Sequence, residues 1–299
     1  MQDTKELRNR IKSVSGMGKI IKAMEMVASS KIRKAQNRIF EARPFHEKLE
    51  DFIAELSNFP GVMDDPLIKE HDNFESVLII GITADRGLCG GYNTSIIKLI
   101  NLKIQEYELK GKKVKLSIIG TKGKNHYKYM GRQLEKVYEN LSDYPKFLDG
   151  REIANDLISY YLSGQADKIE IFYTQFKNAA EQQPLLKQIL PIPLSTLGER
   201  MTNGKEEARA AESIVDFLFE PSAKEVLSSL IPEYIYTSIY DALLESTASE
   251  TGSRMTAMRS ASDSSDEMVK DLTRKYNRAR QQQITIEIAE IVSGAEALK

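Results

Sequence analysis

Met255-Thr-Ala-Met-Arg-Ser-Ala-Ser-Asp-Ser-Ser-Asp-Glu-Met-Val-Lys-Asp-Leu-Thr-Arg-Lys-Tyr276 decides the fold. Met255, Met258, Ser262, Ser265, Val269, Leu272 and Tyr276 alternate steps of three and four, and Ala279, Gln283 and Ile286 continue the series. That spacing puts one narrow stripe on one face of a helix, the width of a coiled-coil seam. No proline lies between Pro232 and Val292, and Gly252 is the lone glycine there. Sixty helical residues reach about 90 Å, more than a small domain can cover, so the helix needs a partner of its own kind. Ser and Ala crowd 246–265, which predicts close approach by a facing helix.

The partner is at the other end of the chain. Leu7, Val14, Ile21, Ala28 and Ala35 recur every seven residues, with Ile11, Ile32 and Ile39 in a second series that also holds Gly18 and Glu25. A seven-residue apolar repeat makes a left-handed seam, here an imperfect one. Gly16 and Gly18 each weaken the helix by about 1 kcal/mol relative to Ala. Pro44 is expected to kink or restart it. The expected architecture is an antiparallel coiled coil of the N- and C-terminal helices around an inserted Rossmann-like α/β domain. Its divisions are 1–58 for the first helix, 75–220 for the α/β part and 222–299 for the last helix. The plainer alternative has both helices packed on the sheet as ordinary core helices.

Between them the period changes. Val77-Leu-Ile-Ile-Gly-Ile-Thr83 is a short continuous apolar run, as in a strand covered on both faces. Val114–Ile119 and Ile169–Thr174 follow as strands, and Gln188–Leu194 and Phe217–Phe219 are weaker candidates. Asn93–Glu108, Gly123–Met130 and Gly150–Leu162 are the expected helices. Strands alternating with helices predict a mostly parallel sheet.

Composition narrows the function. The chain has 299 residues, 41% hydrophobic, with a formal net charge of −1, which excludes disorder as the dominant state. One Cys and no transmembrane-length apolar run argue against a disulfide framework and against membrane insertion. Residues 1–40 are locally basic, with ten Lys and Arg against three acids. With Asp3 and Glu6 at the front, the segment is expected to be mature structure rather than a targeting peptide.

Catalytic candidates are thin. His46, His71 and His126 are far apart and lack ligand spacing, and each is expected as a solvated surface histidine. Cys89 has no nominated base and is expected as a small buried residue. Asp85-Arg-Gly-Leu-Cys-Gly-Gly-Tyr-Asn93 sits between a strand and a helix, where phosphate loops occur. Its glycines at 87, 90 and 91 match neither the dinucleotide nor the P-loop spacing, and no Lys follows. No catalytic set, cofactor site or metal site emerges. The remaining chemistry is charge on helices: Lys31, Arg33 and Lys34 on the first, Arg274, Lys275, Arg278 and Arg280 on the last. Arg on a rigid helix suits bidentate pairing with a partner's carboxylates. The scarcity of aromatics near them argues against nucleic acid.

Three stretches carry a resemblance: Ile11–Val14 with Lys19-Ile-Ile-Lys-Ala-Met-Glu-Met-Val-Ala28, then Ile82–Asn93, then Tyr276–Gln281 running through Ile284–Ala295. In this order they resemble the gamma subunit of F-type ATP synthases, of the bacterial type, over essentially the whole chain. The resemblance implies a non-catalytic central rotor shaft. It would turn inside three alpha and three beta subunits, joined through an epsilon subunit to a membrane c-ring, peripheral on the cytoplasmic face of the bacterial inner membrane. It implies ATP synthesis driven by ion flow, reversible to ATP-driven pumping. It further implies beta-subunit contacts at Met24, Arg280, Gln281 and Thr285, and c-ring contacts at Phe217, Phe219 and Glu220. This chain departs from the family at Gly16-Met17, where Asn-Thr is usual, and at Ser264-Ser265, where Asn-Ala is common. It also lacks the cysteine-bearing insertion of chloroplast relatives. Two other readings stand beside the rotor: a nucleotide-binding α/β enzyme with a coiled-coil dimerisation arm, and a coiled-coil adaptor for nucleic acid or an acidic surface.

Overall fold

The computed structural model describes residues 4–56, 65–71, 74–193 and 222–296. Chain order is α1 (Thr4–Leu56), β1 (Ser76–Ile82), α2 (Tyr92–Leu109), β2 (Lys113–Ile119), α3 (Thr121–Tyr129), β3 (Val137–Tyr138), α4 (Phe147–Leu162), β4 (Lys168–Phe176), β5 (Gln182–Leu190) and α5 (Ala223–Glu296). Long terminal helices thus bracket an α/β domain, as their periodicity predicts. Helix α1 runs through Pro44 without restarting, and α5 likewise contains Pro232. A proline removes one helical hydrogen bond; in helices this long, packing of the rest keeps the element whole.

The sheet has the order β3-β2-β1-β4-β5, with β5 antiparallel and the other pairings parallel. Strand β1 shows why a run without alternation suits its centre. Val77 and Ile79 point to one face, with Ile96, Ile100 and Ile104 of α2 and Tyr127 of α3. Leu78, Ile80 and Ile82 point to the other, with Ile153 and Leu157 of α4. Both faces are covered, so every second residue cannot be polar. Gly81 is the exception in size, because a Cβ there would come within 2.4 Å of Ile100 Cδ1. The expected strand at 188–194 is displaced: β5 begins at Gln182 and ends at Leu190. Polar Gln182 and Gln183 and Pro184 hide its start, as an edge strand permits. The two-residue β3 had no periodic signal at all. The expected strand at Phe217–Phe219 lies outside the described residues.

Contacts divide the chain into two compact units, residues 31–253 and residues 1–30 with 254–299. In the larger unit, Leu49 and Ile53 of α1 and Leu227, Ile231, Ile235 and Ile239 of α5 join the α4 side of the sheet's core. In the smaller unit the two helix ends pair antiparallel. Thr4 Oγ1 donates to Gln283 Oε1 (3.1 Å) and Ser265 Oγ donates to the Val14 carbonyl (3.2 Å). Leu7, Ala28, Met258, Ser262 and Ser265 are the buried seam positions. Gly18 belongs to that seam: a Cβ on it would lie 2.8 Å from Ser265 Oγ. Ser265, part of one of the chain's departures from the family, therefore meets Gly18.

Candidate partner-binding surfaces

The glycine-rich turn after β1 is the first place to seek a ligand. Strand order reverses between β1 and β4, and open α/β sheets bind ligands at the carboxyl ends of such strands. Here α5 lies across that position. Ser249 Oγ donates to the Thr174 carbonyl of β4 (2.9 Å), and Ser253 Oγ donates to the Cys89 carbonyl of the turn (2.9 Å). The serines expected to face a helix thus divide their work. Ser265 meets α1, while Ser249 and Ser253 bind the sheet's edge. Each such bond contributes about 0.5–1.5 kcal/mol net.

The turn itself is organised by side chains. Asp85 Oδ1 accepts from the backbone N–H and hydroxyl of Thr121 (3.0 Å each), and its Oδ2 from Ser142 N–H (3.1 Å). Burial pushes the Asp85 carboxyl up, but backbone donors at Ser142, Thr121 and Asn140 outweigh it and hold it below its usual value. Asn93 Oδ1 accepts the Ala84 N–H (2.9 Å) while its Nδ2 donates to Cys89 Sγ (3.2 Å). Leu88 takes φ 63° and Gly90 φ 55° to close the loop. Cys89 is buried, as expected. The turn's polar groups bind the protein's own neighbouring elements.

The histidines depart from expectation. His46 is largely covered, with Nε2 2.9 Å from Glu50 and Nδ1 3.3 Å from Asp241. His71 stacks on Tyr161 at 4.6 Å, and its Nδ1 lies 3.0 Å from Asp167. His126 Nε2 is buried without a hydrogen-bond partner. Packing reaches the His46 and His71 rings from elements distant in sequence, which their charged neighbours in the chain could not indicate. Among the described residues no cluster of His, Cys, Asp and Glu is arranged to hold a metal ion.

The outward face of the helix pair carries a different chemistry. On α1, Met17, Ile20 and Val27 are exposed at 62, 63 and 57%, and Met24 is half-buried between them and the seam. On α5, Arg280, Gln281 and Thr285 are exposed. Thr285 Oγ1 donates to the Gln281 carbonyl one turn earlier (2.9 Å), so these two form one local group. Met24 is not part of it. With Thr4 beside Gln283 and Gly18 beside Ser265, antiparallel register puts Met24 about 30 Å along the helix pair from Arg280. Past Gln283, Ile284, Ile286, Ile288, Ile291 and Val292 are all at least 43% exposed. Exposed apolar side chains in such number make this end of α5 a candidate interaction surface. Phe217, Phe219 and Glu220 lie outside the described residues. Among the described residues no helix is long and apolar enough to cross a membrane.

A family model described as ATP synthase matches residues 3–298. The ATP synthase gamma chain of Heliobacterium modesticaldum is 40% identical over 299 residues, with all of both chains covered. That of Desulfitobacterium hafniense is 39% identical with the same coverage. Among solved structures, the central stalk and c-ring of Tetrahymena thermophila mitochondrial ATP synthase contains a chain 26% identical, with a TM-score of 0.59. The alignment covers 81% of this chain and 99% of that one. A chain of the Euglena gracilis mitochondrial enzyme gives a TM-score of 0.65 at 16% identity, covering 99% of this chain and 94% of that one, which is a likeness of fold.

Proposed function

Because the chain belongs to the ATP synthase gamma family, we propose that it is the central rotor shaft of an F-type ATP synthase. It couples ion-driven rotation of a c-ring to the conformational cycle of the catalytic beta subunits, in either direction. The chemistry belongs to the beta subunits, and this chain supplies no catalytic residue. Three alpha and three beta subunits surround the helix pair, and an epsilon subunit joins the α/β domain to the ring. Phe217, Phe219 and Glu220 meet the c-ring. The chain sits peripherally, as part of a membrane-associated complex, on the cytoplasmic face.

The observation that supports this reading best is the exposed end of α5, apolar at Ile284 to Val292 and preceded by Arg280 and Gln281. A shaft needs a surface that slides past three equivalent partners without locking onto any. Isoleucine methyls supply contact without directional bonds. Arg280 and Gln281 add charge-assisted and neutral hydrogen bonds at fixed angular positions, made with one beta subunit and broken as the next is reached. Met24, about 30 Å away along the pair, is a second beta contact, and the flexible thioether suits a surface that repacks each step. The enzyme alternative is disfavoured by α5 lying where an α/β sheet would take its nucleotide.

The test is Arg280→Ala combined with Gln281→Ala. In the assembled complex it lowers the ATP made per ion translocated, or the yield of assembly, while the isolated chain keeps its helix content. Unchanged synthesis and hydrolysis in the complex would remove both residues as contacts.

A further inference from the structure

Within the larger unit a polar cavity of about 310 Å³ lies among α1, β4, β5 and α5. From α1 it is faced by Arg43, His46, Glu47 and Glu50; Tyr173 comes from β4 and Lys187 from β5. Helix α5 adds Asp241 and Glu245. Four carboxylates therefore face two fixed cations and one histidine, and the cavity approaches neutrality only by holding protons. Lys187 does not neutralise it alone: its Nζ is 4.0 Å from Glu50, 3.4 Å from Ser238 Oγ and 5.5 Å from the Tyr234 ring centre. His46 stacks on that same Tyr234 ring, centroids 5.8 Å apart, with carboxylates of Glu50 and Asp241 off its two nitrogens.

Glu245 is the least satisfied member. The Phe176 N–H at the end of β4 donates to its carboxyl, yet Oε2 is buried without a hydrogen-bond partner. A carboxylate oxygen in that position is far more costly than the neutral acid.

We propose that this cavity is a proton-operated latch, in which protonated Glu245 lets α1, β4 and α5 close together and loss of that proton loosens them. The step is a simple proton transfer: the Glu245 carboxyl gives its proton to solvent water, and no other covalent bond changes. Burial first, and the neighbouring Asp241 second, push Glu245 up to about 7 from its usual 4.5. Burial also raises Asp241, against attraction from His46 and Lys187. The sign follows. A carboxyl raised on folding stabilises the closed form fully below pH 4.5 and loses that contribution as pH rises through 7. The latch is thus closed in mild acid and weakest in alkali. It stands independently of the rotor reading.

Hydrogen exchange of the full-length chain tests it, read at α1 amides 39–50 between pH 6 and 8 and corrected for intrinsic exchange. Protection should fall about tenfold over that range, and Glu245→Gln, which imitates the protonated acid, should abolish the fall. Infrared difference spectra supply a second readout. A protonated-carboxyl band present at pH 6 should fade by pH 8 and be missing from Glu245→Gln. Flat protection in the wild type, a fall that persists in Glu245→Gln, or no such band at pH 6 would each overturn the latch.

Discussion

Residues 31–253 and the helix pair of residues 1–30 with 254–299 use apolar side chains in opposite ways. In the first unit Val77, Ile79, Ile80, Ile100, Ile118, Ile171 and Phe172 are all fully buried, and their burial holds the sheet to its helices. In the second the buried seam is Leu7, Ala28 and Met258 with two serines, while many of the large apolar side chains face outward. The larger unit also exposes Phe40, Leu109 and Tyr129, yet it has a broad apolar core; the helix pair has only its narrow seam. A domain that holds its own shape calls for such a core, and the rotor proposed above calls for apolar surface left open on its shaft.

The largest effect should come from breaking the first region. Phe172→Ala removes a fully buried ring from the central sheet and should cost about 3–5 kcal/mol in urea unfolding of the full chain. A loss below about 1 kcal/mol would mean that the sheet is less tightly packed than its burial indicates.

Next comes acid. Asp167 accepts from the backbone N–H groups of Glu75 (2.9 Å) and Ser76 (2.8 Å), tying β1 and β4 together at their starts. Burial raises its carboxyl, but His71, Glu75 and Ser76 outweigh that and draw it down to about 2 from 3.8. Stability from this group is present above pH 3.8 and is lost as pH falls through 2. Allowing for solvent screening, Asp167→Asn should flatten about 1–2 kcal/mol of acid sensitivity in that window, measured by urea midpoints at stepped pH.

Much of this was legible in the sequence, and unevenly so. The seam from Met255 to Tyr276 announces the helix pair through its period, and the unbroken apolar run Val77–Ile82 announces a strand covered on both faces. Gln182–Gln183–Pro184 announces nothing, since an edge strand pairs on one side only and tolerates polar residues and proline. The cavity around His46 and Glu245 was illegible for another reason: its members come from α1, β4, β5 and α5, and only the fold brings them within a few ångströms. Arg280, Gln281 and Thr285 were nominated by likeness to a family, and their exposure fits a surface role without distinguishing them from other exposed polar residues.

The helix pair yields smaller numbers. Gly18→Ala gains about 1 kcal/mol of helix propensity but displaces Ser265 Oγ, so alone it should stay within about 0.5 kcal/mol of wild type. In a Ser265→Ala background, with the obstructing hydroxyl gone, the same change should stabilise by about 1 kcal/mol in thermal melts. Equal effects in both backgrounds would show that the two positions are not in contact. The smallest change in stability belongs to the tip. Ile288→Ser, at a side chain 56% exposed, should move the isolated chain by no more than about 0.5 kcal/mol, yet impair assembly or rotation in the complex. A large loss of stability there would erase the contrast between the two regions.

The central claim is mechanical, and single-molecule rotation tests it most directly. A bead attached to the α/β domain of this chain, assembled with alpha and beta subunits fixed to a surface, should turn during ATP hydrolysis and pause at three positions per revolution. Sustained hydrolysis with the bead stationary would contradict the account.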